Sequence, residues 1–118
     1  LQATGPARFG ASRHVARIIL TAMRYDPRFR SAINLKYREK NRTRLKKMGF
    51  VVGTFARERE PRGASTMEWG TEQAIRRLGR VPDVIADRGS VGKEAMIRIL
   101  GEEPADVLRK VRRIVRGA

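Results

Sequence analysis

Small, hydroxyl-bearing and cationic residues that bind phosphate lie at two predicted helix starts. Ser12, Arg13 and His14 follow Gly10-Ala11 at the first of them. Backbone N–H groups at a helix N-terminus attract anions, and Ser12 and Arg13 would add a donor and a positive charge. An ordinary capped helix start has the same composition, so both interpretations stay open. His14 can accept a proton or bind a ligand as a neutral imidazole, although a lone histidine is more often structural.

The second helix start lies in segment 63–70, which reads Gly-Ala-Ser-Thr-Met-Glu-Trp-Gly. Ser65 and Thr66 place two hydroxyls where anions bind. Trp69 is the only tryptophan, and it could stack on a planar ring or simply pack in the core.

Polar and apolar residues alternate in the first predicted strand. Asn34, Lys36 and Arg38 face away from Ile33 and Leu35, because successive side chains of a strand point to opposite sides. We expect this polar side to line a ligand site or to face solvent.

Two carboxylates flank a short predicted strand at 84–86. Asp83 and Asp87 are four residues apart and are expected on one face, where they could hold Mg²⁺ bound to a pyrophosphate. In so basic a chain they could instead neutralise arginines. The turn that follows ends at Lys93 and offers backbone donors with a lysine, but it lacks the spacing of a nucleotide-binding P-loop.

The spacing of apolar residues alternates between helical and strand periodicity along the chain, and this predicts the elements that position these residues. It predicts an α/β fold, a single-domain sandwich of a small mixed sheet with flanking helices. The predicted elements are a helix at 12–26, a strand at 31–37, a helix at 39–48, a strand at 50–55, a helix at 67–78, a strand at 84–86 and a helix from residue 104. The first helix is expected to bury Val15, Ile19, Ala22 and Met23, and the last Val107, Leu108, Val111, Ile114 and Val115.

Composition narrows the possible functions. The chain has 118 residues, no cysteine and one histidine, which excludes disulfides, thiolate catalysis and Cys- or His-rich zinc sites. No apolar run approaches the roughly 20 residues of a membrane span, so we expect a cytoplasmic protein that does not contact membranes. The net charge of +15 indicates a polyanionic partner, nucleic acid or a phosphorylated small molecule. Because 21 of the 27 basic residues are arginine, a thermophile surface is the alternative explanation.

Six short motifs occur in order at 9–17, 32–37, 55–61, 65–70, 81–85 and 87–98, with Gly101 after the last. Together they resemble the ThiN family of archaeal thiamine-phosphate synthases. The resemblance implies an α/β domain that joins hydroxymethylpyrimidine diphosphate to hydroxyethylthiazole phosphate, forming thiamine phosphate and pyrophosphate. It also implies that His14 is catalytic. Contacts to substrate or phosphate are expected from Ser12, Arg13, Asn34, Lys36, Ser65, Thr66, Met67, Trp69, Asp87 and Lys93.

The same family includes non-catalytic domains that sense thiamine phosphate behind a helix-turn-helix domain. Here Ala56 takes the place of a usual aspartate, Ala95 that of a proline, and the functional arginine of the family is expected upstream of Leu1. We therefore expect residues 1–118 to be the C-terminal part of a longer protein, with a homodimer as its candidate assembly. That protein would be the enzyme or, alternatively, a transcriptional regulator that contacts DNA only through an upstream domain. Direct nucleic-acid binding ranks last, because no helix-turn-helix, RRM or KH pattern is present.

Overall fold

The computed structural model describes residues 13–36, 42–56, 59–63, 66–87 and 96–116. Within these residues the chain forms four helices and four strands. Their bounds are α1 Arg13–Tyr25, β1 Ser31–Lys36, α2 Arg42–Lys47, β2 Val52–Phe55, α3 Thr66–Leu78, β3 Val84–Asp87, β4 Met96–Gly101 and α4 Pro104–Arg116. None of the described helices is long and apolar enough to cross a membrane.

The four strands form one mixed sheet in the order β1-β4-β3-β2. β2 and β3 are parallel, whereas β4 is antiparallel to both β1 and β3. The carboxyl ends of β1, β2 and β3 therefore meet the amino end of β4 on one side of the sheet. We call this side the carboxyl edge; it is marked by Lys36, Phe55, Asp87 and Met96.

Helices cover both faces of the sheet. α1 and α3 pack on one face, where Ile18 and Ile85 belong to the buried core. α2 and α4 pack on the other face, around Leu45 and Ile99. The predicted α/β sandwich with a small mixed sheet and flanking helices is confirmed.

The helix ends follow signals that the sequence contains. Gly49 lies just after α2 with a φ of 93°, a left-handed conformation that glycine adopts without strain. Its N–H donates to the Lys46 carbonyl at 3.0 Å, and the Phe50 N–H donates to the Leu45 carbonyl at 3.3 Å. These two bonds form a Schellman cap and satisfy carbonyls that the helix leaves open.

β4 is a strand that the sequence analysis does not predict. It pairs with β1 and β3 on its two sides, so it is a central strand of the sheet. The charged Arg98 interrupts an apolar run at 96–101 that otherwise has the pattern of a buried strand.

The predicted buried faces of two helices also need correction. Ile18, absent from the predicted face of α1, is fully buried. In α4, Val107 and Ile114 are buried, but Leu108 and Val115 are 53% and 44% exposed. α4 packs against the sheet on one side only, so it buries a narrower stripe than its apolar residues suggest.

Gly70 allows α3 to lie very close to β2. A Cβ atom placed on Gly70 would lie 2.5 Å from two carbons of the buried Phe55 ring. A side chain at this position must therefore displace the helix or the ring.

We expect Gly70→Ala to lower the free energy of unfolding by about 1–3 kcal/mol, which is the usual cost of overpacking a core. A loss of stability is diagnostic of this overpacking, because replacing glycine by alanine inside a helix otherwise raises the free energy of unfolding by about 1 kcal/mol. Urea denaturation of the variant and the parent measures the difference. A variant as stable as the parent would contradict the close contact.

Candidate ligand site at the carboxyl edge

α3 begins at the carboxyl edge and runs antiparallel to β2. Near its start, Trp69 packs edge-on against Phe55, the last residue of β2, with ring centroids 6.0 Å apart. Further along, Ala74 lies against Gly53, two residues earlier in the strand. The N-terminus of α3, with its N–H groups and positive dipole end, is therefore at the carboxyl edge.

A buried cation lies beneath this helix start. Arg98 in β4 is 1% exposed. Its Nη2 donates to the Met67 Sδ at 3.4 Å and lies 3.9 Å from the Asp87 Oδ2. Its guanidinium carbon lies 4.8 Å from the centre of the Phe55 ring, in a cation–π contact. The first turn of α3 and the ends of β2 and β3 are thus held around one guanidinium.

Asn34 extends this polar cluster across the sheet. It is paired with Arg98 in the register of β1 and β4, so both side chains lie on the α1/α3 face. The Asn34 Oδ1 is buried and accepts no hydrogen bond from the described residues. Lys36 follows on the same face and is exposed at the carboxyl edge. The polar side of β1 is therefore half-buried at Asn34 and exposed at Lys36.

Four of the predicted contact residues come together in this cluster: Asn34, Met67, Trp69 and Asp87. Trp69 is half-buried against Phe55, so the packing interpretation holds for this residue and ligand stacking stays a prediction. His14 is exposed in the first turn of α1. Ser12, Ser65 and Lys93 lie outside the described residues, as does Arg38, and for Arg13 and Thr66 only the backbone is described.

Asp83 and Asp87 do not form the joint Mg²⁺ site that their spacing suggests. Four residues of strand span about 13 Å, too far for two carboxylates to share an ion that they must approach to about 2.1 Å. Asp83 accepts the Val51 N–H at 2.8 Å and lies 2.9 Å from the Lys110 Nζ, whereas Asp87 faces Arg98. No group of three or more His, Cys, Asp or Glu in the described ranges could hold a metal ion. Asp87 instead faces an arginine, as the alternative interpretation proposed, whereas Asp83 faces a lysine.

Arg98 and Phe55 are site residues that the sequence analysis does not select. Both lie within the family motifs, at the end of one and the start of another. The signal that could have found them is Arg98 itself, because a permanently charged residue between Ile97 and Ile99 must be paired if that segment is buried.

The family model described as thiamine-phosphate synthase ThiN matches residues 1–113. The chain belongs to the ThiN family. It is 48% identical over 107 residues to the bifunctional thiamine biosynthesis protein ThiDN of Methanocaldococcus jannaschii. It is 38% identical over 113 residues to the thiamine-phosphate synthase ThiN of Methanothermobacter thermautotrophicus. The matches cover 91% and 92% of the chain but only 25% and 60% of these two ThiN-family relatives.

Two crystal structures have the same fold. One is the C-terminal domain of a Methanocaldococcus jannaschii protein, with a TM-score of 0.88 and 45% identity; the match covers 98% of the chain and 63% of that structure. The other is the C-terminal domain of a phosphomethylpyrimidine kinase, with a TM-score of 0.82 and 40% identity; the match covers 96% and 66%. The ThiN-family fold is therefore shared over almost the whole chain.

We expect Arg98→Met to lower the free energy of unfolding by about 3–5 kcal/mol, because it removes the guanidinium beside a buried carboxylate. Replacing Asp87 by Asn in the same protein should recover part of this loss, since the buried negative charge is removed as well. Guanidinium chloride denaturation of the parent, the two single variants and the double variant gives the four free energies of unfolding of a double-mutant cycle. Strictly additive losses would contradict an energetic coupling between Arg98 and Asp87.

Proposed function

We propose that the chain is the thiamine-phosphate synthase domain of a ThiN-family protein. Its substrates would be hydroxymethylpyrimidine diphosphate and hydroxyethylthiazole phosphate. In the reaction the thiazole nitrogen bonds to the methylene carbon of the pyrimidine. The bond from that carbon to the diphosphate breaks, and its electron pair leaves with pyrophosphate. The observation that carries the proposal is the convergence of the α3 N-terminus and four predicted contact residues at the carboxyl edge.

The leaving pyrophosphate needs preorganised positive charge. The N-terminus of α3 supplies N–H groups and the positive end of a 13-residue helix. Lys36, exposed at the same edge, adds an ammonium group. We assign the diphosphate of the pyrimidine substrate to this part of the site.

The two heterocycles must also be held so that the nitrogen faces the methylene carbon, with water kept away from a carbon that develops positive charge. Trp69 and Met67 offer apolar surface beside the α3 start, and the Asn34 Oδ1 offers a hydrogen-bond acceptor that the described residues leave open. We assign these groups to ring packing and orientation. None of them needs to form a covalent bond with the substrate.

His14 is proposed as the catalytic residue, following the family resemblance. It is exposed in the first turn of α1, so its imidazole is accessible to a bound substrate. There it would hydrogen-bond the reacting end of the substrate and hold or accept a proton.

The second candidate function is an effector domain that binds thiamine phosphate without making it. Ala56 favours this alternative, because it follows β2 at the carboxyl edge, where the family usually has an aspartate. A methyl group cannot replace a carboxylate that orients a substrate or a metal-bound phosphate. Binding of the product would require only the contacts already described.

Incubating the chain with both substrates and Mg²⁺, and following thiamine phosphate by chromatography, tests the proposal. We expect turnover, and we expect His14→Ala to lower it by at least about 100-fold, since proton transfer by a positioned group contributes that much or more. Leu20→Ala is the matched control, because it also truncates an exposed α1 side chain. It should leave turnover unchanged.

Calorimetry with thiamine phosphate separates the two candidate functions. Binding without turnover, in the chain and in any longer protein that contains it, would favour the effector domain. Neither binding nor turnover would contradict both functions.

A further inference from the structure

The positive charge of the protein is distributed unequally between its two helical layers. On the α1/α3 layer, carboxylates accompany the arginines. Arg24 lies 3.4 Å from Glu68 and 3.5 Å from Glu72, and Arg76 lies 2.9 Å from Glu72. Ion-pair networks of this kind are what a thermophile surface uses.

The α2/α4 layer is different. Residues 42–52 and 107–116 contain no acidic residue. Four exposed cations lie there without an ion pair to any described residue: Lys46, Lys47, Arg112 and Arg116. Stabilisation by ion pairs therefore does not explain these four cations.

The two helices of this layer are held together by arginines. The Arg113 Nη2 donates to the Met48 carbonyl at 2.9 Å, and its guanidinium carbon lies 4.6 Å from the centre of the Phe50 ring. From the other side, Arg44 donates to the Ile114 carbonyl at 3.4 Å. The cations of α2 and α4 therefore lie on one continuous surface of fixed shape, which we call the basic face.

The cations of α4 share one side of the helix. Arg109, Arg112, Arg113 and Arg116 follow the i, i+3, i+4, i+7 spacing, so they line about 10 Å of helix length. Arg109 is neutralised by Asp106, to which it is paired. Burial alone would raise the pKa of Asp106, but the Glu102 N–H and the nearby Lys110 and Arg109 lower it, so the carboxylate is charged at neutral pH. The α4 cations that have no ion pair to a described residue, Arg112 and Arg116, follow this pair along the helix.

We propose that the basic face binds the phosphate backbone of nucleic acid without reading its sequence. Arginines that have no ion pair among the described residues match a regular row of phosphates, with which guanidinium forms bidentate hydrogen bonds. A protein partner would need apolar anchors among the cations. Leu108 is exposed on the same concave surface as the four arginines of α4, but a single apolar side chain there does not form the apolar centre of a protein interface. The basic face is on the opposite side of the sheet from the candidate ligand site, so the two can act independently.

The test is fluorescence anisotropy with a short labelled DNA duplex, at salt concentrations from about 50 to 200 mM. The variant Arg112→Gln/Arg116→Gln removes two cations of the basic face. Arg77→Gln/Arg80→Gln is the matched control, because it removes two exposed arginines at the end of α3 and lowers the net charge equally. Glutamine has nearly the helix propensity of arginine, so both variants should fold, which circular dichroism checks.

We expect the basic-face variant to bind about tenfold more weakly than the parent, with a salt slope shallower by about one for each phosphate that is no longer neutralised. The control should bind within about twofold of the parent. Equal weakening by the two variants would mean diffuse attraction and would overturn the proposal, as would no binding at 50 mM salt. Equally tight, equally Arg112-dependent binding of polyglutamate would assign the face to an acidic protein segment instead and would also overturn it.

Discussion

Arg98 is a permanently charged side chain inside a central strand, and a protein can bury such a group only if the surroundings supply charge and hydrogen-bond acceptors. Met67, Asp87 and Phe55 contact it from three different elements. The contacts of this one cation therefore tie the start of α3 to the ends of β2 and β3. The close approach of α3 at Gly70 follows from the same packing, since it seats the Phe55 ring beneath the helix. The candidate ligand site lies at the carboxyl edge of the sheet, beside the start of α3.

The sheet separates two surfaces with different chemistry. On the α1/α3 side, buried polar groups and a helix N-terminus converge at the carboxyl edge, where a small phosphorylated ligand would be held. On the α2/α4 side, arginines donate hydrogen bonds to the Met48 and Ile114 carbonyls, and further cations have no ion pair to any residue that the structure describes. Part of the net charge of +15 therefore lies on the α2/α4 side, away from the proposed thiamine-phosphate site.

Much of the fold could be predicted because local signals agreed with it. Gly49 and Asp26-Pro27 mark helix ends through backbone conformation alone, and no tertiary contact is needed to recognise them. β4 could not be recognised in this way, because its central charge makes sense only once Asp87 and Met67 are known to surround it. The exposure of Leu108 could not be predicted either, since periodicity shows which face of a helix is apolar but not how much of that face a neighbouring element covers.

The candidate site was predicted by residue type and family resemblance rather than by geometry. Asn34, Met67, Trp69 and Asp87 were selected from separate motifs, and the sheet register and the direction of α3 bring them together. The Asp83–Asp87 pair was misread because a strand separates residues four apart by a distance that a sequence pattern does not display.

The central claim is that the ligand binds at the carboxyl edge beside the α3 start, and fluorescence tests it most directly. Trp69 is the only tryptophan of the chain, so its emission reports on this place alone. Titration with thiamine phosphate should change that emission in a saturable way, and Asn34→Ala should weaken binding by about tenfold through the loss of one buried hydrogen bond. Binding detected by calorimetry with no change in Trp69 emission, and with full affinity in Asn34→Ala, would contradict the claim.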